Sequence, residues 1–311
     1  MMSRTRQVVF DSGSAFERIS SEMFRSTFNT DNGDVDKTPE DNMDGRSDDK
    51  GPEVESLALG HQCGQTMAFV GCERTSQIFV YDISDPTNVV FQSAIDVIGD
   101  TKASPLANYD AMDPTKKEDR TMAHLGTWDP EAISYDQEHN LLVVSGSVSG
   151  TVAVFEVSGW NCEVRTGFLP KVELKLMENM KIPSDYTNDH MFSTNASHLD
   201  YEWDKGAAEK SAFLDKFVVV VGETKFVQVI DMAKYKTMQS TITDAKYIDA
   251  PGTDAATCKS ADGEKLVAVA TEGLASKQDP GRVLIFTLSD MGKLTFISEI
   301  STIGALPDSI H

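Results

Sequence analysis

The sequence reads FVVVVGE at residues 217–223 and, after a short turn, VQVIDM at residues 227–232. Apolar runs of this length, rich in Val and Ile, are typical of β-strands buried on both faces, and a short turn between two of them predicts an antiparallel hairpin. The same hairpin recurs three more times: MAFVGCE with IFVYDIS (67–73, 78–84), LLVVSG with VAVFEVS (141–146, 152–158), and LVAVATE with VLIFTLS (266–272, 283–289). Such internal repetition predicts a repeat architecture.

Further candidate strands flank the four hairpins. An inner strand is predicted before each hairpin, at residues 54–59, 132–135, 197–201 and 255–259, and an outer strand after the first and fourth, at residues 89–95 and 294–300. Four antiparallel strands repeated radially form the blades of a β-propeller. The runs lack the i, i+3, i+4 spacing of helical repeats. The predicted fold is therefore an all-β propeller with four-stranded antiparallel blades, about four of them recognisable, and incomplete at both ends.

The chain is predicted to divide into four regions. They are an outer strand, a short helix and an acidic loop (1–50), the first two hairpins with their flanking strands (51–158), a polar insertion or linker (159–196), and the last two hairpins (197–311). Long insertions of this kind are tolerated where loops leave a rigid scaffold.

The chain is strongly acidic, with 49 Asp and Glu residues against 28 Lys and Arg and a net charge of −21. Nucleic-acid binding needs Lys and Arg to displace counterions, so this excess disfavours nucleic acid as a partner. It also disfavours anionic membrane surfaces and favours a divalent cation or a basic partner. No apolar run reaches the ~20 residues of a membrane helix. The first ten residues lack the apolar stretch of a secretory signal.

Six motifs between about residues 7 and 158 are specific in combination. They read VFDSG (9–13), FERI (16–19), RSDDKGPEVE (46–55), FVGCER (69–74), VYDISDP (80–86) and DPEAI (129–133). Together they resemble the choice-of-anchor I domain family, whose relatives include the animal mesenchyme-specific cell surface glycoproteins. The resemblance implies a propeller of the YVTN or WD40-like kind, extracellular or attached to the cell surface, with no agreed catalytic role.

The order of the resembling segments is unusual. Residues 51–158 resemble the later half of the family domain, whereas residues 197–311 resemble an earlier half. Either the chain is a piece of a longer protein with tandem propellers, or it is a permuted ring closed by its own termini. We expect a piece, because no blade is complete at either end of the sequence, and bare strand edges invite aggregation unless the ring closes.

Carboxylates recur at equivalent places in the repeats. In a propeller, the start of each inner strand and the turn between the second and third strands lie on one face, around the channel. The acids at those places are Glu53, Glu55, Glu131, Asp254 and Asp308 at strand starts and Glu73, Glu223 and Glu272 in turns, with His198 at the matching place in the third repeat. Converging carboxylates repel one another unless a cation neutralises them, and their hard oxygen atoms suit Ca²⁺.

The sequence therefore predicts a Ca²⁺ site at the channel mouth formed by Glu55, Glu131 and Asp308, with Glu73 and Glu223 as further candidate ligands. The alternative is that these acids cap strands and accept hydrogen bonds from backbone amides. If the chain is a piece of a longer protein, Asp308 belongs to a different ring and leaves the site incomplete.

No catalytic residue is predicted. GSVSG at residues 146–150 looks similar to a nucleophile elbow, but its serines fall in a hairpin turn, and turn chemistry explains them better. We predict a non-catalytic extracellular or cell-surface propeller that binds a protein or matrix ligand, or a divalent cation, through an acidic rim. The alternative is a metal-dependent phosphoesterase or an esterase-like hydrolase of the phytase type. Hydrolysis of a phosphate ester by the wild type, and its loss in the variant Glu131→Ala, would favour this alternative.

Overall fold

The recurring hairpins form the middle strands of four antiparallel sheets, each of which is one blade of a β-propeller. The computed structural model of the protein describes residues 7–31, 37–99, 126–160, 162, 171–186, 199–200, 205–305, 307 and 310. Blade 1 contains β1 (Val54–Gln62), β2 (Gln65–Cys72), β3 (Gln77–Asp82) and β4 (Val90–Asp96). Blade 2 contains β5 (Pro130–Asp136), β6 (Leu141–Gly146), β7 (Thr151–Ser158) and β8 (Glu173–Lys181).

The next elements are a two-stranded sheet and the remaining two blades. The small sheet pairs β9 (Asp185–Tyr186) with β10 (Leu199–Asp200). Blade 3 contains β11 (Lys210–Leu214), β12 (Phe217–Val221), β13 (Phe226–Asp231) and β14 (Thr241–Tyr247). Blade 4 contains β15 (Gly252–Lys259), β16 (Lys265–Thr271), β17 (Pro280–Leu288) and β18 (Leu294–Ala305).

Strand β12 shows why the apolar runs are continuous rather than alternating. All five of its residues are buried. Phe217, Val219 and Val221 pack into the core shared with blade 4, whereas Val218 and Val220 pack into the core shared with blade 2. Because successive side chains of a strand point to opposite faces, a blade between two others needs apolar residues at every position.

A helical segment covers the free face of blade 1. Helix α1 (Ala15–Met23), predicted from the sequence, is followed by a 3-10 helix at Arg25–Thr27. Phe16 packs edge-on against Phe79, with ring centroids 4.9 Å apart, and Ile19 is buried in the same cluster. A second 3-10 helix lies at Tyr235–Thr237. In the part of the chain that the structure describes, no helix combines the length and apolar character needed to cross a membrane.

The inner strands line the propeller axis. Strand β1 packs beside β5, β5 beside β11, and β11 beside β15. Residues of all four strands line a cavity of about 520 Å³, whose wall includes Glu55, Glu131, Lys210 and Asp254. The start of each inner strand therefore brings its polar side chains towards a common space.

Each outer strand carries a β-bulge at the same place opposite the third strand. The residue that follows the bulge is Ser93, Glu178, Asp244 and Ser298 in blades 1 to 4. The first three bond to the next blade at or just before the first residue of its outer strand: the Ser93 hydroxyl donates to the carbonyl oxygen of Val172, the Glu178 carboxylate accepts from Ser240, and the Asp244 carboxylate accepts from the Leu294 amide. The bulges thus aim polar side chains across successive blade junctions.

A disulfide bond also joins blades 1 and 2. Cys63, in the turn between β1 and β2, bonds to Cys162, in the segment after β7, with their Cα atoms 4.9 Å apart. Cys72 is a buried thiol and Cys258 an exposed one.

Some flanking strands differ from those predicted. The inner strand of blade 3 is β11, not residues 197–201, of which 199–200 belong to β10. Strand β11 reads KSAFL, too short and mixed to stand out from sequence, and it pairs with β12 across a tight turn. The outer strand β8 lies within residues 159–196, because a strand at the edge of a blade tolerates the charged side chains that suggest a loop.

Candidate acidic rim site

Three carboxylates converge at the start of blade 1. The carboxylate oxygens of Glu53, Glu55 and Glu73 all lie within 4.8 Å of one another. Glu55 is the extra residue of a bulge in β1, since Val54 pairs with Cys72 and Ser56 with Gly71. The Glu73 amide donates to the carbonyl oxygen of Glu53 at 2.8 Å, which holds the turn after β2 against the start of β1. We call these three residues the acidic rim site.

Arg74 lies beside this group and contacts three carboxylates. Its Nε is 2.9 Å from Glu53 Oε2, its Nη2 is 2.9 Å from Glu73 Oε1, and its Nη1 is 2.6 Å from Asp129 Oδ2. Lys50 also bonds to Glu53. Asp129 immediately precedes β5, so the guanidinium links blade 1 to blade 2. Charge-assisted bonds of this kind fix the geometry of the carboxylates they join.

The environment splits the pKa values of the rim carboxyls. Burial raises the pKa of Glu73 to about 9, helped by a hydrogen bond with Glu55 and by the charge of Asp129. Burial also acts to raise the pKa of Glu53, but hydrogen bonds from Lys50 and Arg74 outweigh it and lower that pKa overall. The site therefore holds one carboxyl that favours its proton beside another that favours its charge.

A second group of acids lies around Glu209, which precedes the inner strand of blade 3. Burial, with the charges of Glu131 and Glu223, raises the pKa of Glu209 to about 8. Lys210 Nζ lies 3.2 Å from Glu131 Oε2. Lys277 Nζ lies 3.8 Å from Glu223 Oε1 and 3.1 Å from Glu272 Oε1. Glu131 is thus paired with Lys210, and Glu223 and Glu272 are both paired with Lys277.

The predicted ligands are accordingly divided between the two groups. Glu55 and Glu73 come together with Glu53, whereas Glu131 and Glu223 belong to the second group. Glu55 and Glu131 both line the axial cavity. Asp308 and His198 lie outside the described residues. Pro307, which precedes Asp308 in the chain, accepts a hydrogen bond from Thr253 at its carbonyl oxygen.

The basic partners were missed at the sequence level. Arg74 directly follows Glu73 in the chain, and that adjacency was the available signal for its role. Lys210 and Lys277 have no such signal, because they meet Glu131 and Glu223 only through the packing of different blades.

A family model described as the choice-of-anchor I domain matches residues 1–86. Gigasin-3a of Magallana gigas is 32% identical to this chain over 202 residues, which is 64% of this chain and 69% of Gigasin-3a.

Solved structures also show similarity at low sequence identity. A functionally unknown protein from Desulfotomaculum acetoxidans is 13% identical with a TM-score of 0.44, and the match covers 80% of this chain and 56% of that one. A protein from Lactobacillus plantarum is 14% identical with a TM-score of 0.40, over 82% of this chain and 73% of that one. The chain thus spans little more than half the length of the first of these structures.

Proposed function

Since this chain belongs to the choice-of-anchor I domain family, we propose that it is a non-catalytic extracellular or cell-surface propeller that binds Ca²⁺ through its acidic rim site. The family and the propeller fold fit a non-catalytic binding propeller. The cation and the location are the parts that this proposal adds.

The spacing of the three rim carboxylates carries the proposal. Oxygen ligands lie about 2.3 to 2.6 Å from a bound Ca²⁺, so two ligands of one ion are at most about 5 Å apart. The ligand oxygens of Glu53, Glu55 and Glu73 meet that limit, at 4.8 Å or less. Glu55 is exposed, which gives an ion access from solvent.

The charge balance supports the same proposal. Four carboxyls, Glu53, Glu55, Glu73 and Asp129, face two cations, Lys50 and Arg74, so two negative charges are left when every group is ionised (four minus two). A divalent cation matches that remainder. Asp129 reaches the site through Arg74 and is a positioning residue rather than a ligand in this proposal.

The disulfide supports a location outside the cytosol. Disulfides persist in oxidising compartments and are reduced in the cytosol. Cys63 and Cys162 are 99 residues apart in the chain, so their bond constrains two blades rather than one local turn. Peptide mapping without reductant, on protein isolated from its natural source, is expected to recover these two cysteines in one linked pair. Recovery of both as free thiols would count against the location.

Thermal unfolding with and without millimolar Ca²⁺ tests the cation site. A ligand that binds only the native state raises the unfolding temperature by mass action. We expect Ca²⁺ to raise it for the wild type and for the control Glu264→Gln, an exposed residue in the turn between β15 and β16. The variant Glu55→Gln is expected to lose the shift. An unshifted wild type, or an undiminished shift in Glu55→Gln, would refute a Ca²⁺ site at the rim.

A further inference from the structure

Strand β18 is the longest of the four outer strands and carries little charge for its length. It has 12 residues, whereas β4, β8 and β14 have 7, 9 and 7. Its sequence, LTFISEISTIGA, contains Glu299 as its one charged residue. Strand β8 carries four charged residues in nine and β14 two in seven, whereas β4 carries one in seven. Charges on an edge strand discourage pairing with another chain, and β18 largely lacks them.

Apolar side chains of β18 are exposed on both faces of its sheet. Phe296 is 55% exposed. It lies opposite Phe286, whose side chain faces blade 3. Ile300 lies opposite Val283, on the other face, and is also 55% exposed. A partner packed flat against one face would cover only one of these side chains. A strand added at the edge contacts both, because cross-strand neighbours meet on each face.

The edge of β18 offers backbone groups for such a strand. Blade 4 has the order β15-β16-β17-β18, so among the described residues no strand pairs with the second side of β18. An edge of this kind is a template for pairing through main-chain hydrogen bonds, and alternate side chains then set the specificity.

Electrostatic repulsion between two copies of this chain is weaker at β18 than over the rest of the acidic surface. A net charge of −21 makes two copies repel each other in general. Along β18 the one acid, Glu299, lies 3.6 Å from Arg282, so the local charge is close to zero. A strand with little charge and an apolar surface on both faces is also complementary to itself.

We propose that β18 pairs antiparallel with β18 of a second copy about a twofold axis, which joins two blade 4 sheets of four strands into one continuous sheet. Such a contact uses the same patch on both copies and closes after two. The proposal is independent of the acidic rim site, which lies in blade 1.

Sedimentation of the full chain over a wide range of concentration tests the proposal. The wild type is expected to reach twice the mass of one chain. Ile300→Lys is expected to weaken the dimer at least about tenfold, because symmetry places two like charges in one small interface. Met291→Lys is the matched control, since Met291 is 77% exposed and precedes β18. It is expected to dimerise as the wild type does, and circular dichroism checks that both variants fold.

Hydrogen exchange identifies the strand involved. Amides of β18 are expected to exchange more slowly at concentrations where the dimer forms, while those of the outer strand β4 are unchanged. A wild type that stays monomeric at every concentration would overturn the proposal. So would dimerisation of Ile300→Lys as tight as that of the wild type, growth beyond two copies, or protection confined to other strands.

Discussion

The Thr27 hydroxyl donates a hydrogen bond of 2.5 Å to the carboxyl group of Asp96, which fastens the segment after α1 to the outer strand of blade 1. Gln77 extends this contact, since its Nε2 donates to the Thr27 oxygen at 3.2 Å and its Oε1 accepts from the Ser20 hydroxyl at 2.8 Å. The N-terminal segment is therefore joined to blade 1 by a buried polar network as well as by the rings around Phe16.

Asp96 is expected to make stability depend on pH. Burial raises the pKa of Asp96 to about 6, although bonds from Thr27 and the Ile98 amide oppose the rise. The pKa of an Asp side chain in the unfolded chain is about 3.9, so Asp96 binds its proton more tightly in the native state. The resulting stabilisation is fully present below about pH 4 and is lost as pH rises through about 6, a change on the order of 3 kcal/mol.

The variant Asp96→Asn isolates this contribution. Its free energy of unfolding relative to the wild type is expected to rise between about pH 4 and 7 and then level off. Urea unfolding at a series of pH values measures the difference. Asp262→Asn, at an exposed turn position, is the control and is expected to show no such rise. A difference for Asp96→Asn that stays constant with pH would show that this carboxyl does not titrate in that window.

Loss of the disulfide is expected to destabilise the propeller. The bond closes a loop between residues 99 apart, and removing a bond of this kind costs about 2 to 5 kcal/mol. Cys63→Ser should therefore unfold at lower denaturant than the wild type, whereas Cys258→Ser, which removes an exposed thiol, should not. Added reductant should bring the wild type to the level of Cys63→Ser. Equal stability of the oxidised wild type and Cys63→Ser would contradict the expectation.

The bulge contacts across blade junctions are expected to differ in strength. Ser240 donates to Glu178, a buried carboxylate, through both its amide and its hydroxyl, whereas Ser93 donates to a neutral carbonyl. Ser240→Ala should therefore cost about 1.5 to 3 kcal/mol and Ser93→Ala about 0.5 to 1.5. Denaturant unfolding of the two variants gives both values. The reverse order would mean that the charge on Glu178 is satisfied without Ser240.

Gly71 is expected to be required for the packing of blade 1 against blade 2. A Cβ atom at this position would lie 2.2 Å from Ser56 Oγ and 2.9 Å from Ile133 Cδ1, on the neighbouring blade. Gly71→Ala should destabilise the fold by about 1 to 3 kcal/mol through overpacking. Adding Ser56→Ala removes the nearest atom and should recover part of the loss. No recovery in the double variant would place the clash at Ile133 instead.

The blade cores were predictable, and several flanking strands were not. Runs such as residues 217–221 are apolar at every position because they lie between two neighbouring blades, so their composition alone predicts buried strands. Strands β8 and β11 carry charged residues and acquire their pairing from a hairpin partner, a constraint that local composition does not express. The acid-rich segment before β1 consists mainly of turns over its described residues 37–52.

The candidate site was predictable only in its carboxylates. Repeat position predicted that Glu55 and Glu73 lie near one another, because the start of β1 and the turn after β2 are brought together by the hairpin register. The sequence did not predict that Arg74 and Lys50 share the space with them, since side-chain direction at a strand end is set by backbone conformation. Glu53, for example, has a φ of +53°.

The bond between Cys63 and Cys162 also has a consequence for a protein exposed to proteases. A single cut anywhere between the two cysteines leaves both fragments covalently attached, because the crosslink bypasses the break. Blades 1 and 2 remain held by their common core as well. A nicked molecule would therefore migrate at full mass on a denaturing gel without reductant and as two fragments with it. Across that span, the integrity of the molecule is governed by thiol chemistry rather than by the continuity of the peptide chain.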